Sequence, residues 1–154
     1  MLRIALYEPE IPPNTGNIMR LCANAGCALH LIKPLGFSLD HKQLRRAGLD
    51  YRDFAEVRVH ESLEAMNEVL GKPRTWAIST RGSKRYTDAS FGEGDLLLFG
   101  PETRGLPQQV LDDLGAEQCL RIPMASGSRS LNLSNAAALL LYEGLRQLRF
   151  PGLS

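Results

Sequence analysis

The chain has 154 residues, of which 44% are hydrophobic and 23% charged, a composition that suits one globular domain with a real core. Its net charge of +1 argues against binding nucleic acid through overall positive charge. Any RNA binding must come from local basic patches, either on one chain or combined from two subunits. No apolar run approaches the ~20 residues of a membrane span, and the N-terminus becomes acidic at Glu8, too soon for a signal peptide. We therefore expect a cytoplasmic protein without membrane contact.

The cysteines and histidines predict neither a disulfide framework nor a metal centre. The chain has no paired Cys-x-x-Cys, and its histidines stand far from any metal-ligand spacing. We expect reduced core thiols, ordinary polar histidines and no metal. These six residues are Cys22, Cys27, Cys119, His30, His41 and His60.

Short segments rich in Leu, Ile and Val alternate with segments of helical periodicity. The predicted strands are Leu2–Tyr7, Ala28–Ile32, Val57–Val59, Thr75–Ser79, Asp95–Phe99 and Gln118–Ile122. The predicted helices are Asn17–Ala25, Asp40–Ala47, Ser62–Leu70, Pro107–Leu114 and Leu133–Leu148. This alternation predicts an α/β fold, with a mostly parallel, Rossmann-like sheet covered by helices on both faces and a single domain over residues 1–154.

Glycines directly follow three of the predicted helices. Gly26, Gly48 and Gly71 are placed where a left-handed residue commonly ends a helix. We expect each helix to stop there.

A first unusual connection, residues 8–20, leads from the first strand into a helix. Asn14 or Thr15 can cap that helix, and Gly16 lets a partner approach the backbone closely. Arg20 follows about one turn later. The alternative is a plain capped helix whose Arg20 forms a surface salt bridge.

A second connection, residues 99–107, leaves an entirely apolar strand. Ligands bind at such strand ends in open α/β sheets. Two glycines and two prolines constrain its backbone, and Glu102 and Arg104 lie within it. An ordinary loop needs no such rigidity, so we expect a functional one.

A third connection, residues 121–135, passes Pro123 and then a polar cluster of Ser and Asn that opens the last helix. Asn132 or Ser134 can cap that helix, but one cap does not account for the whole cluster.

Common nucleotide-binding and hydrolase signatures are missing. The nearest match to G-x-G-x-x-G, at Gly92-Glu93-Gly94, precedes a strand and has Leu97 in place of the last glycine. Neither G-x-x-x-x-G-K-[ST] nor G-x-S-x-G occurs. A dinucleotide dehydrogenase, a P-loop ATPase and an α/β-hydrolase are therefore disfavoured.

The three connections carry three motifs in a fixed order at strand ends. They are Asn14-x-Gly16-Asn17-Ile18-x-Arg20, then Phe99-Gly100-Pro101-Glu102-x-x-Gly105-Leu106, then Ile122-Pro123-Met124 with Ser130-Leu131-Asn132-Leu133-Ser134-Asn135. Together they resemble the motifs of the SPOUT RNA methyltransferases, and more narrowly of the 2′-O-ribose branch. The similarity covers the whole chain. Residues 6–17 look most like minimal bacterial members that act on the wobble nucleotide of tRNA.

The resemblance implies S-adenosylmethionine as cofactor and the wobble cytidine or modified uridine of tRNA, leucine tRNAs in particular, as substrate. It also implies a C-terminal trefoil knot, which sequence physics alone would not predict because threaded chains are rare. It implies a homodimer whose active site is completed across the interface. The apolar stripe on Leu133–Leu148 suits either that interface or an internal core.

Site roles follow from the same resemblance. Arg20 is the implied catalytic arginine, with Ser130 and Asn132 as polar partners. The implied cofactor-binding residues are Ile78, Gly100, Glu102, Ile122, Met124, Ser130 and Leu131. The expected RNA contacts are Arg20, Arg104 and Arg129, followed by Arg45, Arg46, Arg81, Lys84 and Arg85.

Arg20 makes a poor base because a guanidinium stays protonated. We expect it to orient the ribose or phosphate and to stabilise charge on the attacking oxygen. Two alternatives remain: 2′-O-methylation of ribosomal RNA or of another tRNA position, and a non-catalytic RNA-binding protein on the same scaffold.

Overall fold

The computed structural model describes residues 1–46, 48–49 and 56–154. Its strands are β1 (Arg3–Tyr7), β2 (Ala28–Ile32), β3 (Val57–His60), β4 (Thr75–Ile78), β5 (Lys84–Arg85), β6 (Leu96–Phe99) and β7 (Cys119–Arg121). Within this part of the chain they form one sheet in the order β3-β2-β1-β6-β4-β7-β5. Each pair of neighbours is parallel, which confirms the predicted sheet.

Helices cover both faces of the sheet, as predicted. They are α1 (Pro12–Ala25), α2 (His41–Arg46), α3 (Leu63–Leu70), α4 (Gln108–Leu114) and α5 (Leu133–Gln147), with 3₁₀ turns at Tyr86–Asp88 and Ala116–Gln118. The alternation along β6 sorts its side chains between the two layers. Leu97 and Phe99 pack in the cluster formed with α1 and α5, whereas Leu96 and Leu98 join α3 and α4.

The apolar stripe of α5 belongs to the core of this chain. Ala137, Leu140, Leu141 and Leu145 are fully buried, and burying each leucine stabilises the fold by about 2 kcal/mol. A Cβ on Gly144 would lie 2.6 Å from Leu2 Cδ1, so a larger residue where α5 meets the start of the sheet would force the Leu2 side chain to shift. The stripe is therefore internal, and only the opposite side of α5 remains for other contacts.

The start of α1 differs from the prediction, which was wrong by more than one turn. The helix begins at Pro12, not at Asn17. Proline fits the first turn because the N–H that it lacks has no partner there. Asn14 and Thr15 therefore lie inside the helix and are buried, and the expected capping role for them is wrong. The N-cap is Ile11, which makes no side-chain capping bond.

Other element ends agree closely with the sequence expectations. Gly26 and Gly71 end α1 and α3 with φ of 69° and 73°. Gly48 also has a positive φ, of 78°, while the predicted helix end at Ala47 lies outside the described residues. Pro107 is the N-cap of α4, not its first residue.

The two-residue strand β5 was not predicted, because two residues carry no recognisable periodicity. In the described part of the chain, no helix is both long enough and apolar enough to cross a bilayer.

Candidate active site

A cavity of about 500 Å³ opens where β4, β6 and β7 end. Its walls come from the residues that follow those three strands and from the first turn of α1. This is the edge at which open parallel sheets bind ligands. The predicted site residues that line it are Ile78, Gly100, Glu102, Arg104, Ile122, Met124, Arg129, Ser130, Leu131 and Asn132.

Gly100 allows the second connection to fold tightly at the cavity wall. A Cβ on it would lie 2.3 Å from the Leu106 backbone nitrogen and 2.5 Å from the Gly105 carbonyl carbon. Gly105 has a φ of 69°, and its N–H donates to the Pro101 carbonyl at 2.9 Å. Glycine at both positions is therefore needed to build this wall.

Glu102 joins the second connection to the start of α1. Its carboxylate accepts hydrogen bonds of 2.8 Å from the backbone N–H groups of both Glu10 and Ile11. It also accepts a bond of 3.2 Å from Asn14 Nδ2. A carboxylate at a helix N-terminus is stabilised by the unpaired N–H groups and the helix dipole. Glu102 lines the cavity, but its oxygens are engaged by α1.

The same two segments are joined a second time in the opposite direction. Glu10 Oε1 accepts bonds of 2.8 Å from both the backbone N–H and the hydroxyl of Thr103. These bonds, chiefly that from the Thr103 N–H, hold the pKa of the Glu10 carboxyl below its usual value. Sequence reasoning assigned no role to Glu10 or Thr103, because residues 93 positions apart leave no local pattern.

Asn132 joins the third connection to the first. Its Oδ1 accepts bonds from the backbone N–H groups of Ser134 and Asn135, so it caps α5. Its Nδ2 donates at 3.0 Å to Asn14 Oδ1. One asparagine thus serves both as the helix cap that the sequence predicts and as a link between two motifs. The three motifs meet at one place.

Three of the arginines that the structure describes line the cavity, and they differ in whether another residue of the chain binds them. Arg104 lies 3.4 Å from a Glu8 oxygen and 3.8 Å from a Glu10 oxygen. Arg81, which the sequence indicates only as a secondary RNA contact, lines the cavity and donates to the Leu106 carbonyl. Arg129 is exposed on the third connection.

The remaining basic candidates lie outside the cavity lining. Lys84 pairs with Glu117 at 3.0 Å, and Arg85 lies 3.7 Å from Asp88. Arg45 and Arg46 are exposed in the last turn of α2.

Arg20 also lies outside the cavity lining of its own chain. It is exposed, and its Nη2 donates to the Gly48 carbonyl. It lies six positions after Asn14, which places it about 9 Å further along the helix and on a different side of it. The structure thus brings together the other predicted site residues but not this one. Among the described residues, no group of His, Cys, Asp or Glu is arranged to hold a metal ion.

Comparison with known proteins agrees with this geometry. The model of the SpoU rRNA methylase family matches residues 1–142. The chain belongs to this family. A relative from Methylovorus glucosotrophus, named tRNA (cytidine(34)-2′-O)-methyltransferase, is 57% identical over 99% of both chains. A relative of the same name from Escherichia coli K12 is 56% identical over 99% of this chain and 97% of its own.

Solved structures give the same family. One that concerns 2-OH methylation of C/U34 on tRNA is 49% identical, has a TM-score of 0.88 and is matched over 97% of both chains. The SpoU methyltransferase AviRb of Streptomyces viridochromogenes, solved with AdoMet, has a TM-score of 0.80 at 27% identity. It matches 99% of this chain and 59% of its own. The family resemblance stated from the motifs is confirmed, and this SpoU-family chain is an enzyme.

Proposed function

We propose that this enzyme transfers a methyl group from S-adenosylmethionine to the 2′-oxygen of nucleotide 34 of tRNA. The observation that carries the proposal is the 57% identity, over 99% of both chains, to a tRNA (cytidine(34)-2′-O)-methyltransferase. Cytidine, or a modified uridine, at the wobble position of leucine tRNAs is the expected substrate. Such a substrate would be met in the cytoplasm.

The cavity suits the cofactor. Its volume of about 500 Å³ lies within the range of small-molecule sites. Ile78, Ile122 and Leu131 offer apolar walls for the adenosine. Backbone groups at Gly100 and Ile122 would hold its polar edge, with Met124 and Ser130 beside it. S-adenosylmethionine supplies a methyl group activated by a sulfonium charge.

The chain's own residues then position the ribose. The C–S bond breaks as the 2′-oxygen forms the new C–O bond, and the hydroxyl proton leaves through water or phosphate. Most of the acceleration can come from alignment because the leaving group is already activated. Arg20 would orient the ribose or its phosphate and stabilise the developing alkoxide, while Ser130 and Asn132 supply polar contacts.

A homodimer would explain the position of Arg20. This side chain is exposed and lies outside its own cavity lining, so a second subunit can receive it. Leu139 and Tyr142 on the outer side of α5 and Ile11 beside the cavity each leave about two-fifths of their surface exposed. Exposed apolar side chains near a site favour association. In this arrangement Arg20 of one subunit serves the cavity of its partner.

The RNA contacts would come from the cavity rim. Arg104 and Arg129 are exposed lining residues, and a phosphate can replace the Glu8 and Glu10 carboxylates as partner of Arg104. An unpaired anticodon nucleotide exposes its 2′-hydroxyl.

We also propose a trefoil knot formed by the residues that follow β4 and β7. A close approach between these two parts of the chain supports it. A Cβ on Gly82 would lie 2.6 Å from the Leu120 carbonyl carbon. An experimental trace of residues 79–135 tests this arrangement.

Mass spectrometry of nucleosides tests the function. The protein and S-adenosylmethionine are incubated with RNA from a strain that lacks this enzyme. Bulk tRNA and ribosomal RNA are used in separate reactions. We expect 2′-O-methylcytidine in tRNA. The family description favours ribosomal RNA as the second candidate, and a product in ribosomal RNA alone would select it. No 2′-O-methylnucleoside in either pool would refute the proposed activity.

A further inference from the structure

Two segments that lie far apart in the chain hold each other through reciprocal carboxylate bonds. Glu102 accepts from the backbone N–H groups of Glu10 and Ile11, and Glu10 accepts from the backbone N–H and hydroxyl of Thr103. We call these bonds between residues 10–11 and 102–103 the clasp. All four donor–acceptor distances are 2.8 Å.

The clasp joins the two parts of the site that must act together. Residues 102–103 belong to the connection that forms the cavity wall after Gly100. Residues 10–11 lead directly into α1, which carries Asn14 and Arg20. A rigid helix transmits a shift at its first turn to every side chain along it. The clasp therefore fixes where α1 stands relative to the cofactor cavity.

The bonds are strong for their exposure. Each has an ionised acceptor, and such bonds are shorter and stronger than neutral ones. Arg104 Nε lies 3.8 Å from Glu10 Oε2 and adds a favourable charge. Glu10 itself is not part of the cavity lining, so its carboxylate acts on the reaction through Arg104 and the segments that it holds.

We propose that Glu10 and Thr103 are positioning residues that couple the cofactor loop to α1. The inference rests on the proposed function. Cofactor seated against residues 100–106 stiffens the loop, and the clasp passes this restraint to the first turn of α1, which aligns Asn14 in the lining of the same cavity for methyl transfer. Loss of the clasp then lowers turnover while the cavity still binds the cofactor.

Steady-state kinetics and calorimetry test the proposal on the full chain. We expect Glu10→Ala to lower kcat about tenfold, since small misalignments have effects of this order or larger. The Kd for S-adenosylmethionine should stay within about twofold of the wild-type value, because the cavity wall is intact. Thr103→Val should lower kcat less, and Thr103→Ser, which keeps the hydroxyl, should leave kcat near the wild-type value. Glu61→Ala is the matched control, because it removes an exposed glutamate paired with Lys33 away from the cavity.

A double variant separates the clasp from two independent effects. If Thr103→Val acts through Glu10, adding it to Glu10→Ala should change kcat no further. Unchanged kcat in folded Glu10→Ala would overturn the proposal. A parallel loss of cofactor affinity would also overturn it, because the clasp would then only build the cavity.

Hydrogen exchange gives a readout that does not depend on tRNA. In the wild-type protein, S-adenosylmethionine should slow amide exchange over residues 10–20, and in Glu10→Ala this slowing should disappear. Equal slowing in both proteins contradicts the coupling. If the wild-type protein shows the coupling but does not methylate tRNA, the proposed function fails and the clasp stands.

Discussion

Asn132 donates a hydrogen bond of 3.0 Å from its side-chain amide to the side-chain oxygen of Asn14, across 118 positions of the chain. The same Asn132 caps α5, and the same Asn14 donates to Glu102. One chain of polar contacts therefore joins the three motifs: the third to the first, and the first to the second. Substitutions along it should separate the stability of the fold from its activity.

Asn132→Ala should lose both the cap of α5 and the hydrogen bond to Asn14. Removing the cap should lower the free energy of unfolding by about 1 kcal/mol, and losing the bond to Asn14 should sharply reduce methyl transfer. Asn132→Asp keeps the capping oxygen but loses the amide donor, so it should be nearly as stable as wild type and still be impaired. Urea denaturation and kcat measure the two effects. Equal activity of Asn132→Asp and wild type would remove the link from the mechanism.

Gly100→Ala should abolish cofactor binding. The new Cβ would meet the Leu106 nitrogen at 2.3 Å, and backbone cannot yield as a flexible side chain can. Overpacking of this kind costs about 1–3 kcal/mol of stability. Gly26→Ala is the control, since its φ of 69° strains an alanine but nothing lies within 4 Å. Calorimetry should show lost affinity for S-adenosylmethionine in the first variant alone. Wild-type affinity in Gly100→Ala would contradict the assignment of this wall.

Stability should fall at mildly acidic pH because of a buried histidine pair. His30 Nδ1 lies 2.9 Å from His60 Nε2, and burial, with the nearby charges of His60, Arg3 and Arg58, lowers the pKa of His30 from 6.5 to about 4. The unfolded chain therefore binds more protons below pH 6.5. The stability from neutral His30 is complete above that pH and is lost progressively toward pH 4, by about 3 kcal/mol.

Denaturant titrations between pH 7 and pH 4.5 measure this dependence. His30→Gln cannot take up the proton, so the difference in unfolding free energy between wild type and variant should shrink as the pH falls. A constant difference across this range would show that His30 protonation does not control stability.

The sequence predicts the sheet well because each strand combines a short apolar run with a clear boundary. β6 has four consecutive buried apolar residues, and such runs identify strands covered on both faces. The start of α1 was predicted wrongly because Pro12-Pro13 looks like a loop, although proline is tolerated in a first helical turn. With the exception of Arg20, the site residues predicted from the motifs line the cavity.

Contacts between the motifs could not be predicted from the sequence. The partners Glu10 and Thr103 lie 93 positions apart, and no periodicity connects them. The direction in which the Arg20 side chain points could not be predicted either, because it depends on how the buried side of α1 packs on the sheet. The spacing placed Arg20 on α1, but it did not indicate that the side chain lies outside the cavity lining of its own chain.

A mixed dimer tests the proposal that Arg20 of one subunit serves the cavity of the other. Subunits carrying Arg20→Ala and Gly100→Ala should each be inactive as homodimers. If Arg20 acts across the interface, the heterodimer purified with two tags contains one intact site and should regain about half of the wild-type activity. If Arg20 acts within its own chain, the heterodimer contains no intact site and stays inactive.

Methylation of a single defined tRNA tests the central claim most directly. A leucine tRNA with cytidine at position 34 is incubated with the protein and S-adenosylmethionine, beside the same tRNA carrying 2′-deoxycytidine there, and the anticodon fragments are sequenced by tandem mass spectrometry. We predict one methyl group on the ribose of nucleotide 34 in the first tRNA and none in the second. Methylation of both tRNAs, or of any other nucleotide, would contradict the account.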